Sequence, residues 1–458
     1  MSVDWLGAFA PLAVDLILLL GAVSILLADL IAPPGEKRLP GWGALATLVV
    51  AMAATFFLDL SGEAWGGVYV GDALAVFFKR IFLAGAILAV LGSQHFVADT
   101  FPRRQGEYYL LVLCSVLGMS LLGGVRDVIL LVVCFELMGI PLYVLAAYAK
   151  KNALGVEGAL KLYLVGAVSS VTMLYGLSLL FGLSGSTHIA EIAAYVATDP
   201  SPIVLLGAVL ALAGMGFKIG VFPFHMWVPD AYEGASTPVV AFLAAAPKAA
   251  GLAALVQLLL GGERPLIAMV SMVVIALAAA TLVVGNFLAL NQSNVKRLLA
   301  YSGVAHMGFL LMALSTGEAL GLTMLLFYLA AYVFTNVGAF LVVHAVARGG
   351  GDDTVASFDG LAQRSGWLGF TMLAFLLSLA GIPFMAGFWA KLNVFIAAWA
   401  AGLEWLVVLG AVLSVVALFY YLRVVRAMFM NPPAEGASPV RADWPTNLGI
   451  AVCLLFVV

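Results

Sequence analysis

Charge is scarce in this sequence. Of 458 residues only 10% are Asp, Glu, Lys or Arg, against roughly a quarter in an ordinary soluble domain. The 21 Lys and Arg nearly balance the 24 Asp and Glu, and a net charge of −3 is too small to attract a polyanion, so nucleic-acid binding is excluded as a main role. Cysteine is nearly missing. Cys114, Cys134 and Cys453 all lie in apolar runs without CxxC spacing, which excludes a disulfide framework or a cysteine metal cluster and leaves them as packing residues. A glycine-rich nucleotide loop and an iron–sulfur cysteine set are also missing, so redox chemistry has no obvious home here. What the chain does have is apolar residues, 64% of the total. A mean hydropathy of +1.12 sustained over this length exceeds what one water-surrounded core can absorb, so the chain reads as an all-α polytopic membrane protein.

An apolar helix needs about 20 residues to cross a hydrocarbon layer roughly 30 Å thick. That ruler gives fourteen candidate spans: 11–32, 41–60, 72–96, 108–122, 127–148, 156–181, 202–228, 238–260, 265–290, 295–314, 319–346, 367–399, 403–430 and 444–458. The first is too long for a cleavable signal peptide and follows Asp4 rather than a basic start. The last has 15 residues, so it either ends inside the layer or belongs to a natural chain that continues beyond Val458. Turn residues supply the loops at 32–35 (APPG), 349–353 (GGGDD) and 431–436 (NPPAEG). One alternate set of loops and span ends carries thirteen basic residues, Lys37, Arg38, Arg103 and Arg104 among them, and the other only Arg126 and Arg264; this asymmetry places the N-terminus outside the cytoplasm.

The seventh and twelfth spans are both interrupted by Pro near Gly, in KIGVFPFH from Lys218 and in LAGIPFMAGFWAK ending at Lys391. Interruptions at matching places in two halves mark a transporter built from repeats. The expected organisation is residues 1–106 as three N-terminal helices, 107–262 and 263–430 as two inverted five-helix repeats (spans four to eight and nine to thirteen), and 431–458 as a C-terminal helix.

Six basic residues fall within the spans: Lys79, Arg80, Lys161, Lys218, Lys248 and Lys391. Glu136, Lys218, Lys248 and His306 stand near the middle of their spans, and Lys391 lies about two turns from the centre of a broken one. A charge at that depth costs about 2.5 to 3.5 kcal/mol, so these groups must pair, lose charge or share internal water. Each escape leaves a titratable group in a medium of low polarisability, where its neighbours can load and release its proton. Helix breakers lie beside them: Pro141, Pro223, Pro247 and Pro383 free the carbonyls of Leu137, Ile219, Leu243 and Leu379, which then need donors. Such kinks are also common as purely structural features of membrane helices. Lys79 and Arg80 read equally as snorkelling residues or partner contacts and as transport groups, and Lys161, one turn into its span, as a snorkelling residue or a proton entry point. His95, His188 and His344 read as interfacial. His225 and His306 could in principle ligate haem, but His225 lies beside a helix break without a second matched pair, and an imidazole that ordinarily titrates near pH 6.5 suits a proton relay between lysines better.

The stretch FKIGVFPFHMWVPDAYEGASTPVVAFLAAAPKAAGLAAL at 217–255 resembles the signature of the antiporter-like membrane subunits of respiratory complex I, and of the subunit N type in particular. Further matches are CFELMGIPLYVLAA around Glu136, EGALKLYLVGAVSS from Glu157, NVKRLLAYSGVAHMGFLL through His306 and GIPFMAGFWAKLNVF through Lys391. Mrp cation/proton antiporters and the sibling subunits L and M more often carry AH-x-EAP where this chain has AYEGASTP, and Ser236 stands where Pro is commoner in relatives. The resemblance implies a proton-translocating subunit of NADH:quinone oxidoreductase in a bacterial cytoplasmic membrane or equivalent. Glu136 would pair with Lys218, Lys248 and His306 would form the middle of a path, and Lys391 its exit, with Lys161 and His225 secondary. FMN, iron–sulfur clusters and quinone would belong to partner subunits, with K-type and M-type chains as neighbours. The alternatives are an Mrp-type sodium/proton antiporter subunit and a non-pumping scaffold.

Overall fold

The computed structural model describes residues 9–31, 39–262, 265–433 and 438–458. Asp4, Lys37, Arg38, Arg264, the 32–35 turn and residues 434–436 of the 431–436 loop lie outside the described residues. In chain order the helices are α1 (Ala13–Ile31), α2 (Leu39–Phe57), α3 (Ala73–Thr100), α4 (Gln105–Leu122), α5 (Val128–Ala146), α6 (Ala153–Ser184) and α7 (Ile189–Thr198). There follow α8 (Pro202–Ile219), α9 (Trp227–Gly234), α10 (Thr237–Leu243), α11 (Ala246–Leu260), α12 (Pro265–Leu290) and α13 (Val295–Ser315). The series closes with α14 (Ala319–Arg348), α15 (Leu361–Arg364), α16 (Gly366–Ala380), α17 (Ala386–Ala400), α18 (Glu404–Met430) and α19 (Trp444–Val457). Between α2 and α3 a small antiparallel hairpin pairs β1 (Gly62–Ala64) with β2 (Tyr69–Gly71).

Twelve helical segments among the described residues are long and apolar enough to cross a membrane, and they correspond to eleven of the first twelve sequence spans plus the thirteenth. The exception is 367–399, which divides into α16 and α17, each of 15 residues. The helix in the final span, α19, has 14 residues. Several starts are fixed by side-chain caps: Asp72 accepts from the Ala75 N–H, Asp127 from those of Ile129 and Leu130, Asn294 from that of Arg297 and Asp443 from that of Thr446.

The described helices gather into two compact units that do not follow chain order. One comprises the described residues of Met1–Tyr148, Tyr163–Ile219 and Ala246–Val270. Within it α1 packs on α2 and α4, α4 on α5, and α11 on α3 and α8. The other comprises Ala149–Leu162, Gly220–Ala245 and the described residues of Ser271–Val458. Here α14 is the hub, touching α10, α13, α16, α17 and α19. The most hydrophobic stretches of the segments Thr237–Leu260 and Val295–Ser315 are wholly buried inside protein, whereas those of α1, α6 and α18 are about one-third buried or less. Leu160, Val168 and Val171 on α6 accordingly point outward, as lipid-facing residues do.

The structure decides against one reading of Lys79 and against the expectation for His344. Lys79 does not snorkel: its ammonium forms a buried ion pair with Asp15, because α1 presents a carboxylate to α3 that sequence spacing could not reveal. His344 is buried rather than interfacial, since the C-terminal end of α14 is covered by its neighbours. Arg80 donates to the Thr55 carbonyl at 2.6 Å with its guanidinium over the Phe56 ring.

Candidate functional site

Lys218 occupies the last turn of α8. The helix stops at Ile219 because Gly220 takes φ +75°, a left-handed conformation that Gly adopts without steric cost. Lys218 therefore sits at a helix end rather than mid-helix, where the unpaired carbonyls and the negative pole of the helix dipole favour a cation. The Lys218 ammonium donates to the Tyr143 hydroxyl at 2.9 Å and lies 4.8 Å from the centre of that ring. Gly139 leaves the room it needs, since a Cβ there would strike the ammonium.

Glu136, one turn before Gly139 on α5, is half-buried and accepts from the Ser170 hydroxyl at 2.5 Å. Glu136 and Lys218 make no direct ion pair; each is held by a hydroxyl, while the carboxylate still acts on the ammonium through space. The expected contact pair is thus a separated one, because Tyr143 and Ser170 satisfy the two charges individually. Lys248 lies in the same unit, on α11 directly after Pro247, and is fully enclosed.

The second unit repeats the helix-end arrangement. Helix α16 ends at Gly381, φ +85°, whose N–H and that of Ile382 both return to the Leu377 carbonyl. With Pro383 next in line, the carbonyls of Leu379 and Ala380 have no helical donor, and Lys391 on α17 reaches back to both at 2.9 Å. The donor expected for the freed Leu379 carbonyl is this lysine. The half-helices are also stitched by the Gly387 N–H, which donates to the Ser378 hydroxyl at 3.1 Å.

His306 on α13 is flanked by two phenols: its Nδ1 lies 2.6 Å from the Tyr328 hydroxyl and its Nε2 lies 3.4 Å from that of Tyr421, which itself bonds Ser302. Beside it is a cavity of about 10 Å³, lined by His306, Tyr328, Tyr332, Thr335, Ser378 and Leu379 among others. That is about the room of one water, in a mostly apolar lining. Leu379, whose carbonyl Lys391 holds, is among the cavity's lining residues.

Of the two secondary candidates, His225 is buried in the turn after the α8 break, tilted against Phe222 and Tyr301. Lys161 is more exposed and belongs to a charge network, bonding Glu157 and Asp230 at 2.8 Å each, while Arg297 bonds Asp230 at 2.8 Å and Glu233 at 2.7 Å. Burial alone would raise the Asp230 carboxyl, but the bonds from Lys161 and Arg297 outweigh it and hold the group below the usual carboxylate range. Sequence reading missed Tyr143, Ser170, Tyr328 and Tyr421. The available signal was a polar hydroxyl on a helix otherwise built of apolar residues, which by itself also fits a membrane-interface aromatic.

Residues 125–417 match the family described as "NADH:quinone oxidoreductase/Mrp antiporter, TM". The chain is 41% identical over 446 residues to NADH-quinone oxidoreductase subunit N of Moorella thermoacetica, covering 97% of this chain and 93% of the relative. It belongs to the NADH-quinone oxidoreductase subunit N family. Subunit N of Heliobacterium modesticaldum is 42% identical over 91% of this chain and 87% of its own length. Among solved structures, a chain of respiratory complex I from Thermus thermophilus superposes with a TM-score of 0.82 at 34% identity, covering 97% of this chain and 96% of that one. A chain of the Mrp complex from Dietzia shares the fold, with a TM-score of 0.81 at 22% identity over 96% of this chain and 84% of that one. Membership in subunit N makes this a multi-pass integral membrane protein of a multisubunit translocase, and among the described residues no group of three His, Cys, Asp or Glu could hold a metal ion.

Proposed function

We propose that this chain translocates protons as the subunit N of an NADH:quinone oxidoreductase, using Glu136, Lys218, Lys248, His306 and Lys391 as proton-transfer groups. The observation that carries the reading is burial: Lys218, Lys248, His306 and Lys391 expose 7%, 0%, 5% and 5% of their surface in a chain made of membrane helices. Side chains so enclosed cannot snorkel, and intramembrane ionisable groups of this kind serve transport by default. Approach of the Glu136 carboxylate would favour the charged form of Lys218, and withdrawal would release its proton towards Lys248. His306, with a phenol on each ring nitrogen, suits relay, and a small cavity lies between it and residues next to the Lys391 anchor. FMN, iron–sulfur clusters and quinone would reside on other subunits, K-type and M-type chains being the expected neighbours. Lys161 and His225 are kept as secondary proton-transfer groups, Lys161 at entry and His225 as a relay, the two half-helix breaks support a reading of 107–262 and 263–430 as repeats, and the basic-residue asymmetry supports an N-terminus outside the cytoplasm.

The test is Lys218→Ala in the assembled complex in proteoliposomes. The expected result is intact assembly with pumped protons per electron sharply reduced. Undiminished stoichiometry would overturn the role of Lys218, and undiminished stoichiometry after neutralising Glu136, Lys218 and Lys391 together would favour a scaffold.

A further inference from the structure

Asp15 in the first turn of α1 and Lys79 in the second turn of α3 lie outside the set described above, yet they are as deeply enclosed, exposing 5% and 1%. The Lys79 ammonium donates to Asp15 Oδ2 at 2.5 Å and to the Ser120 hydroxyl of α4 at 3.1 Å, and stands 5.3 Å from the centre of the Tyr69 ring on β2. Three of the four groups are thus tied together, but two polar atoms at this cluster are not: Asp15 Oδ1 and the Tyr69 hydroxyl are buried without a hydrogen-bond partner among the described residues. A buried carboxylate oxygen and a buried phenol are each costly to leave unsatisfied, and both are the kind of partner an internal water uses.

We propose that Asp15, Lys79 and Tyr69 enclose a second, hydrated proton-exchange site in the N-terminal helices, whose ligand is internal water. In the ion pair the proton resides on Nζ. Its transfer breaks one N–H bond and forms an O–H bond at Oδ2, converting the pair to neutral amine and neutral acid without changing total charge. The acid then passes its proton to water at the carboxyl, which leaves as hydronium, and the amine takes a proton from a hydronium arriving on the phenol side, which becomes water and restores the ion pair. The charged and titratable groups facing the cluster are the Asp72–Arg126 pair, joined at 2.6 Å, and the Cys134 thiol of α5. They surround it without occupying Oδ1 or the phenol.

Two measurements on the intact complex test this. Hydroxyl-radical labelling by water radiolysis should modify Tyr69 several-fold faster than Tyr109, which is equally enclosed but has Ser93 beside its hydroxyl at 3.4 Å. Infrared difference spectra after a pH jump should show a deuterium-sensitive carboxyl band that disappears in Asp15→Asn and shifts in Tyr69→Phe. Labelling of Tyr69 no faster than Tyr109, or the lack of an Asp15-dependent band, overturns the proposal. Should Asp15→Asn prevent assembly, Tyr69→Phe carries the spectral test alone, because it leaves the ion pair in place; an unshifted band in that variant also overturns it.

Discussion

Single side chains set how each buried charge is held, and single substitutions should report it. Tyr328→Phe removes the hydroxyl 2.6 Å from His306 Nδ1. A hydrogen bond of this kind contributes about 0.5–1.5 kcal/mol net, so proton pumping in vesicles should slow by up to roughly tenfold with assembly unchanged. An unaltered rate would remove Tyr328 from the path. Gly139→Ala places a methyl where the Lys218 ammonium sits, forcing it off the Tyr143 hydroxyl. The expected outcome is pumping impaired as in Lys218→Ala while the purified complex retains its subunits, checked by subunit analysis alongside proton uptake. The ionisable groups were legible from sequence because a charge in an apolar run is conspicuous. Their hydroxyl partners were not, because Tyr143, Ser170 and Tyr328 carry no charge and their facing directions emerge only when helices pack. Asp15 escaped for a related reason: near the start of a span it looks like an ordinary end residue until α3 is laid beside it.

At the scale of elements, the two helix breaks matter more than the helices they divide. Each begins at a glycine in the left-handed region, Gly220 or Gly381, and each leaves a lysine at the carbonyl end of a half-helix, one from within that half and one reaching back from the next. Gly381→Ala should cost about 1–2 kcal/mol from backbone conformation alone, with further strain from a Cβ 2.9 Å from Lys391 Cδ. A lower melting temperature and a lower pumping rate are expected together, measured by thermal inactivation of the reconstituted complex; a rate loss without destabilisation would contradict this account. Pro and Gly in KIGVFPFH and LAGIPFMAGFWAK announced the breaks. The sequence pattern did not show that Lys218 would end its helix, because the apolar run continues through Val228 and masks the stop at Gly220.

For the whole molecule, the cluster of Lys161, Glu157, Asp230, Arg297 and Glu233 joins the start of α6 to α9 and α13. Since the Asp230 carboxyl is held below its ordinary range, its contribution to stability is full above that range and is lost as pH falls through the lowered folded value. Asp230→Asn should therefore destabilise the complex at neutral pH and make little difference under strongly acid conditions, as read from melting temperature across a pH series; an equal loss at every pH would contradict the linkage. The frame around Lys391 has a different property. An ammonium has three hydrogens, two of which are committed to the Leu379 and Ala380 oxygens, while a neutral amine keeps two hydrogens and gains one lone pair. Both anchors can therefore persist whether the side chain is charged or not, and only the third position changes from donor to acceptor. A turnover cycle at this lysine can run on a stationary scaffold, with reversal of one hydrogen-bond direction as its only mechanical demand.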